Sequence, residues 1–342
     1  MIFAITGAND FLGVHIIHHL LEQNHVIWAI YRDKASFEEY ELVKSNYNID
    51  ESKYANLNWV SCELYDILGL KEIFSKCDYV IHAAGLISYF KKDKMKLLQV
   101  NYNYTKNVVN VALASQVKKL LYCSSISAIS KSSSTLFSDE TSSWSSTKPH
   151  SFYGYTKHLG ELELWRAKEE GLDVVVVNPG IILGYGDWDS GSSQLFKNAN
   201  NAFPFYSNGV TGFVGVKDVS RIIEKLCLSD VVGERFILVS ENKSFKEIAF
   251  MMADQFHKKR PYLEVKGFLY WIIYGIISIQ EFFKMGKFIS KETVKSSVSS
   301  QLYSNEKISQ LHNWEFELID SVIEDACIGY KKSPSNYEGL LS

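Results

Sequence analysis

The chain has 342 residues, a length that sets one large domain or two intimate ones as the starting expectation. Hydrophobic residues make up 46% and charged residues 22%, enough for a full core and too apolar for a disordered chain. The net charge of −3 leaves no basic footprint, which argues against nucleic acid as a partner. Cys62, Cys77, Cys123, Cys227 and Cys327 form no C-x-x-C pair and are odd in number, so free thiols in a reducing cytoplasm are expected, and no metal site. The chain enters an apolar strand at Ile2 without the basic flank of a signal peptide.

Strand and helix signals alternate through the first half. Ile2–Thr6 reads as a strand, Leu12–Asn24 as a helix, and Val26–Tyr31, Asn58–Ser61 and Asp78–His82 as three further strands. A long helix is expected over Leu97–Ser115, then strands at Leu120–Cys123 and Asp173–Val177. Near-continuous apolar strands divided by helices predict an α/β fold, a Rossmann-type doubly wound parallel sheet covered on both faces. Residues 1–178 would form the dinucleotide-binding domain. Residues 179–342 would form a smaller, mostly helical substrate-binding part interleaved with it. Lys131–Lys148, rich in Ser and Thr, reads as a loop over the pocket. Phe268–Phe283 is strongly apolar, but it falls short of the roughly 20 residues a spanning helix needs, and Gln280 and Glu281 interrupt its end. A pocket-covering helix is expected there, and no membrane span.

Two groups of residues carry chemistry. Tyr153 and Lys157 stand four apart, one turn from each other on one helix face, and Ser125 follows a strand end upstream. A phenol, an ammonium and a hydroxyl meeting across a pocket would form a proton-transfer set. Taken alone, the Tyr–Lys spacing also fits an ordinary exposed helix face. The second group is Thr6-Gly7-Ala8-Asn9-Asp10-Phe11-Leu12-Gly13, where a strand turns into a helix. A glycine permits the tight turn, and the N–H groups of the helix start then face a diphosphate. A plain turn is the alternative. At the end of the second strand, Tyr31 occupies the place where an acid would bind a ribose 2′-hydroxyl, and Arg32 follows it. Arg32 could fork onto a 2′-phosphate or pair with a nearby acid. NADP(H) is therefore the favoured cofactor, with NAD(H) as the alternative.

These motifs resemble the extended short-chain dehydrogenase/reductase family, part of the NAD-dependent epimerase/dehydratase superfamily, and the resemblance runs over essentially the whole chain. Gly7 and Gly13 match the first and third glycines of T-G-x-x-G-x-x-G, while Asp10 stands at the second. A Cβ and a carboxylate there oppose close approach of the backbone to a pyrophosphate. The resemblance implies that Glu63 and Leu64 lie near the adenine. It places Ala83, Ala84 and Gly85, after His82, beneath the nicotinamide-side ribose. It gives Asn101 a place near the active site, holding a proton-relay water, and sets Pro179 and Gly180 where the backbone meets the carboxamide. Ser125, Tyr153 and Lys157 would be the catalytic set, with Lys157 also holding the ribose. Val216–Val219 matches a late structural motif.

Within the family, Ile30–Asp33, Tyr122–Ser125 and the apolar segment near Phe268 resemble the dihydroflavonol reductase and hydroxysteroid dehydrogenase branch. That branch implies carbonyl–alcohol interconversion on a mainly apolar small molecule. A nucleotide-sugar epimerase or dehydratase is the runner-up. Asn208–Phe213, just before Val216, lacks the Arg such relatives commonly use for the sugar-nucleotide diphosphate. A catalytically silent dinucleotide sensor is a third reading, supported by Asp10 alone. A homodimer stays open.

Overall fold

The pattern of buried side chains along the strands dictates a two-faced sheet. In β1 (Ile2–Thr6), Phe3 and Ile5 pack into one core and Ala4 into another. In β7 (Val174–Pro179), Val175 and Val177 join the first core and Val174 and Val176 the second. Side chains alternate across a strand, so buried residues on both faces require cover on both. The structure is a computed structural model that describes residues 1–32, 37–132, 135–142, 144–145, 150–267, 270–271 and 290–332.

Seven parallel strands form the main sheet: β1, β2 (Val26–Tyr31), β3 (Leu57–Ser61), β4 (Tyr79–His82), β5 (Lys119–Cys123), β7 and β11 (Glu234–Leu238). Their order is β11-β7-β5-β4-β1-β2-β3, so the order of winding across the sheet switches between β1 and β4. A crevice opens at the carboxyl ends of strands at such a point. The first face is covered by α1 (Phe11–Glu22), whose Ile16, Ile17 and Leu20 meet Val219, Ile222 and Ile223 of a later helix, Val216–Leu228. The second face is covered from three directions: α2 (Glu38–Lys44) lies apart, while α3 (Ile67–Phe74), α5 (Thr105–Ser115) and α6 (Phe152–Glu169) supply Phe74, Val108 and Leu164. The strands β8 (Ile181–Leu183), β10 (Val210–Gly215) and β12 (Glu241–Ser244) make a smaller sheet beside the main one. The two-residue strands β6 (Phe137–Ser138) and β9 (Phe205–Tyr206) pair in parallel with Leu302–Tyr303 and Leu263–Glu264.

The six strands expected from sequence form with ends shifted by no more than two residues. The seventh, β11, was not expected. It is an edge strand, and Glu234 and Arg235 give it the charged face that edge strands carry in place of an apolar run. The expected helix over Leu97–Ser115 is broken in register. A short helix, α4 (Lys94–Leu98), passes into a π-helical turn, Gln99–Tyr104, before α5 begins. The widened turn holds Asn101, whose side chain bonds the loop after β4, and Thr105 Oγ1 donates back to Asn101 O at 2.9 Å.

The described part of 131–148 runs along the sheet edge. Glu140 Oε1 accepts from Ile237 N of β11 at 2.8 Å, and Arg235 donates to the carbonyls of Glu140 and Ser142. This segment therefore covers the bare edge strand. Phe268–Phe283 lies outside the described residues apart from Tyr270 and Trp271. Among the described residues no helix is long and apolar enough to cross a membrane.

Helix α6 starts at a serine cap: Ser151 Oγ accepts from Gly154 N at 2.8 Å. Farther along, Gly160 lets the helix press against β5 and the π turn. A Cβ there would lie 2.5 Å from Tyr122 Oη and 3.0 Å from Asn101 O. Alanine normally gains about 0.5–1 kcal/mol over glycine in a helix, whereas overpacking costs about 1–3 kcal/mol. Gly160→Ala is therefore expected to lower stability by about 1 kcal/mol or more in urea unfolding, and Tyr122→Phe in the same chain should recover part of the loss. A Gly160→Ala protein as stable as the parent would show that α6 does not sit this close.

Candidate active site

The β1–α1 turn is built for close approach. Gly7 adopts φ +69°, and a Cβ there would come within 2.6 Å of Ala84 Cα. A Cβ on Gly13 would run into Gly7 O. Both glycines are thus demanded by packing between the turn, α1 and the segment after β4. Asp10 needs no such freedom: its φ of −89° and ψ of 163° suit any residue. It occupies the N-cap of α1 yet makes no side-chain capping bond, so the first-turn N–H groups stay available to an anion.

Beside this turn lies a narrow cleft. The turn contributes Gly7, Asn9 and Asp10, the end of β2 contributes Arg32, and the segments after β3 and β4 contribute Glu63 with Leu64 and Ala84 with Gly85. The remaining binding residues expected from sequence stand behind it. Phe11 turns its ring edge to His15, Leu12 packs on the core, and Gly13 rests on Gly7. Ala83 N donates to Thr6 O at 3.2 Å. Pro179 is buried at the end of β7, and Gly180 N donates to Leu238 O at 2.9 Å with its α-carbon against Gly212 O. The residues present fit a dinucleotide, with a helix start for the diphosphate and Arg32 exposed at the strand end where a 2′-phosphate would lie.

Asp10 and Arg32 share this cleft. Crowding raises the Asp10 carboxyl pKa, and the Arg32 guanidinium opposes that rise. The Asp10 side chain bonds none of the first-turn N–H groups, and its charge interacts with Arg32.

The acid–base residues gather at the Gly85 end. A Cβ on Gly85 would stand 3.2 Å from Lys157 Nζ and 3.5 Å from Asn101 Oδ1. Lys157 is 3% exposed; its Nζ donates to Cys123 O at 2.7 Å and lies 4.5 Å from the Tyr122 ring centroid. Burial pulls its pKa down to about 8, against the upward pull of Cys123 and Glu161. Tyr153 is also buried. Burial drives its pKa above the usual phenol range, Tyr89 adds to the rise, and the neighbouring Ser125 hydroxyl offsets part of it. In the protein alone desolvation outweighs the neighbouring hydroxyl, and Tyr153 is a protonated acid at neutral pH.

Asn101 reaches the site as a clamp. Its Nδ2 donates to Leu86 O at 2.9 Å and Thr156 Oγ1 at 3.1 Å, while Oδ1 accepts from Leu86 N at 2.7 Å. Both amide protons are committed to protein groups, so the side chain fixes the segment after β4. His82, given no chemical role from sequence, is buried between Thr6 and Thr105, at 2.7 and 2.9 Å from their hydroxyls.

Sequence reading missed Glu161, Asn178 as a side-chain donor, and Arg235. Glu161 is fully buried and holds Ser124, Asn178 and Arg235 together. The available signal was the i, i+4, i+8 stripe Tyr153–Lys157–Glu161, which continues the catalytic face by one more turn.

A doubly wound parallel sheet with a glycine turn into its first helix and a Tyr–Lys pair beside the crevice defines an NAD(P)-dependent oxidoreductase of the extended short-chain dehydrogenase/reductase type. The model of the NAD dependent epimerase/dehydratase family matches residues 3–226, and the chain belongs to that family. It is 26% identical over 254 residues to a putative dihydroflavonol 4-reductase of Synechocystis, covering 72% of this chain and 70% of that one. It is 27% identical over 233 residues to cinnamoyl-CoA reductase 1 of Petunia hybrida, covering 64% of this chain and 66% of that protein. The crystal structure of gox2253 shares the fold, with a TM-score of 0.78, 22% identity and coverage of 97% and 98% of the two chains.

Asp10→Gly tests the cleft electrostatics. Glycine is a tolerated N-cap, so apo stability should change by only a few tenths of a kcal/mol. Removing the carboxylate frees Arg32 and should tighten NADPH binding several-fold, more than NADH. Equal dissociation constants for parent and variant in a fluorescence titration would place the Asp10 charge outside the cofactor's reach.

Proposed function

We propose that the protein is an NADP(H)-dependent reductase that interconverts a carbonyl and a secondary alcohol on a mainly apolar small molecule. The observation that carries this reading is the buried Tyr153 phenol, beside the Ser125 hydroxyl and one helical turn from a buried lysine. A nicotinamide bound in the cleft would supply or accept the hydride. Ser125 and Tyr153 would bond the substrate oxygen, and Tyr153, protonated in the free protein, would release its proton to that oxygen as negative charge develops. Lys157 would hold a ribose hydroxyl and, by its charge, ease the loss of the phenol proton.

The names of the reductase relatives, for dihydroflavonol and for cinnamoyl-CoA, support a carbonyl substrate over a sugar nucleotide. A silent sensor would have no use for an acid buried beside a hydroxyl and an ammonium. Five free cysteines support a reducing, cytoplasmic setting.

Tyr153→Phe is expected to keep NADPH affinity within a few-fold and to lower turnover by about 10²-fold or more on whichever ketone, aldehyde, thioester or sugar nucleotide a panel shows to be turned over. Near-parental turnover would remove Tyr153 from the proposed role. Cofactor choice has its own test. Arg32→Ala should weaken NADPH by roughly 10- to 100-fold, the worth of a charge-assisted bond, and leave NADH nearly unchanged. Equal losses would mean that Arg32 does not read the 2′-phosphate.

A further inference from the structure

We propose that Glu161 is a positioning residue of the active site: one buried carboxylate that fixes the strand ends bearing Ser125 and keeps the Lys157 ammonium charged. The inference rests on the catalytic reading of Tyr153 and Lys157 given above and adds to it the group beneath them.

The geometry is specific. Glu161 lies one turn beyond Lys157 on α6 and is 0% exposed. Its Oε1 accepts from Ser124 Oγ at 2.5 Å, on the residue after β5, and from Asn178 Nδ2 at 2.6 Å, in β7. Asn178 Nδ2 also donates to Ser125 O at 3.0 Å, and Ser124 N donates to Val177 O at 2.8 Å. Oε2 faces Arg235 Nη1 of β11 at 3.3 Å. Three neighbouring strands therefore meet one carboxylate from the catalytic helix, and the backbone of Ser125 is tied to it through Asn178.

A carboxylate is a costly choice for a purely mechanical anchor, since a buried ion pair is often no more stabilising than apolar packing. Its charge has a second recipient. Lys157 is faced by Cys123 and the Tyr122 ring from β5, by His82 from β4, and by Tyr153 and Glu161 on its own helix. Glu161 is the nearby acid among these. It is faced in turn by Arg235, Ser124, Asn178 and Tyr122; burial raises its carboxyl pKa, and Ser124, Arg235 and Asn178 oppose that rise and favour the carboxylate. Burial keeps His82 neutral, with its pKa pulled down to about 3, and pushes the Cys123 thiol up to about 12. Neither titrates between pH 6.5 and 9.5, whereas Lys157, near 8, does.

The sign follows directly. If the ammonium holds the cofactor ribose, affinity is full below the Lys157 pKa and falls as pH rises through it. Removing the Glu161 charge lowers that pKa, so the fall begins at lower pH. The test needs no substrate: NADPH dissociation constants by fluorescence between pH 6.5 and 9.5, for the parent and for Glu161→Gln, Glu161→Asp and Lys157→Met. The 2′-phosphate titrates near pH 6 and does so alike in all four proteins.

The parent should lose about tenfold or more across the range, and Lys157→Met should bind weakly with little pH dependence. Glu161→Gln should move the falling limb down by about one pH unit, and Glu161→Asp, which keeps the charge, should leave it near the parental position. A Lys157→Met profile parallel to the parent would overturn the reading of Lys157 itself. With Lys157→Met flat, a Glu161→Gln limb at the parental pH, or a uniform loss at every pH, would overturn the role of Glu161 alone. A Glu161→Asp limb displaced as far as that of Glu161→Gln would also overturn it. Should Glu161→Gln fail to fold, Glu161→Gln with Arg235→Met removes both charges together and must show a shift in the same direction, smaller because a cation is lost with the carboxylate.

Discussion

The close seating of α6 on the sheet is the constraint on which the site depends. Gly154 and Gly160 remove the two Cβ atoms that would otherwise meet Ser127 O and Tyr122 Oη. With those atoms gone, the helix face bearing Tyr153, Lys157 and Glu161 lies against the ends of β5 and β7. Lys157 Nζ can then reach Cys123 O, and Glu161 can reach Ser124 and Asn178. The same contact pins the π turn, because Thr156 beside Lys157 accepts from Asn101. Substituting either glycine would thus act on the chemistry through distance, before any charged group is altered.

Such seating buries three ionisable groups that would individually prefer water, and their pKa values move as desolvation requires: phenol up, ammonium down, carboxyl up. The arrangement tolerates this because each has a neighbour that opposes part of the shift. The Ser125 hydroxyl limits the rise of Tyr153, Cys123 O accepts from the Lys157 ammonium, and Arg235 faces the Glu161 carboxylate. An acid that stays protonated in the free protein suits reduction, where the proton must be present before the hydride is transferred.

The parts of this structure that were legible in the sequence are those set by local rules. Strand positions followed from apolar runs, and the glycine turn from Gly7 and Gly13 at the start of α1. The Tyr–Lys spacing revealed a helix face because 3.6-residue periodicity is local. Residues whose role is set by distant partners were not legible. Arg235 lies 74 positions from Glu161, in an edge strand whose charges hide its strand character. The π turn escaped notice because Asn101 is held by Leu86, 15 positions away, and nothing in its own neighbourhood signals a change of helical register. That the Ser/Thr-rich loop ties down the sheet edge escaped notice for a related reason: its anchor, Glu140, finds its partner in β11.

The two ends of the site are built by different means, and this bears on where the chain can vary. The diphosphate end relies on backbone: a positive-φ glycine, a helix start with unused N–H groups, and contacts between α-carbons. Any side chain that respects that backbone can stand at position 10, and φ −89° admits Asp10 where a glycine is expected. The cost of Asp10 is then electrostatic, falling on Arg32 and on the cofactor phosphates, and not conformational. The acid–base end relies on side chains whose positions are cross-linked through Glu161, so one replacement there disturbs several partners at once. A departure from the family pattern is thus better absorbed in the glycine turn than beneath Tyr153, which is where this chain carries its own.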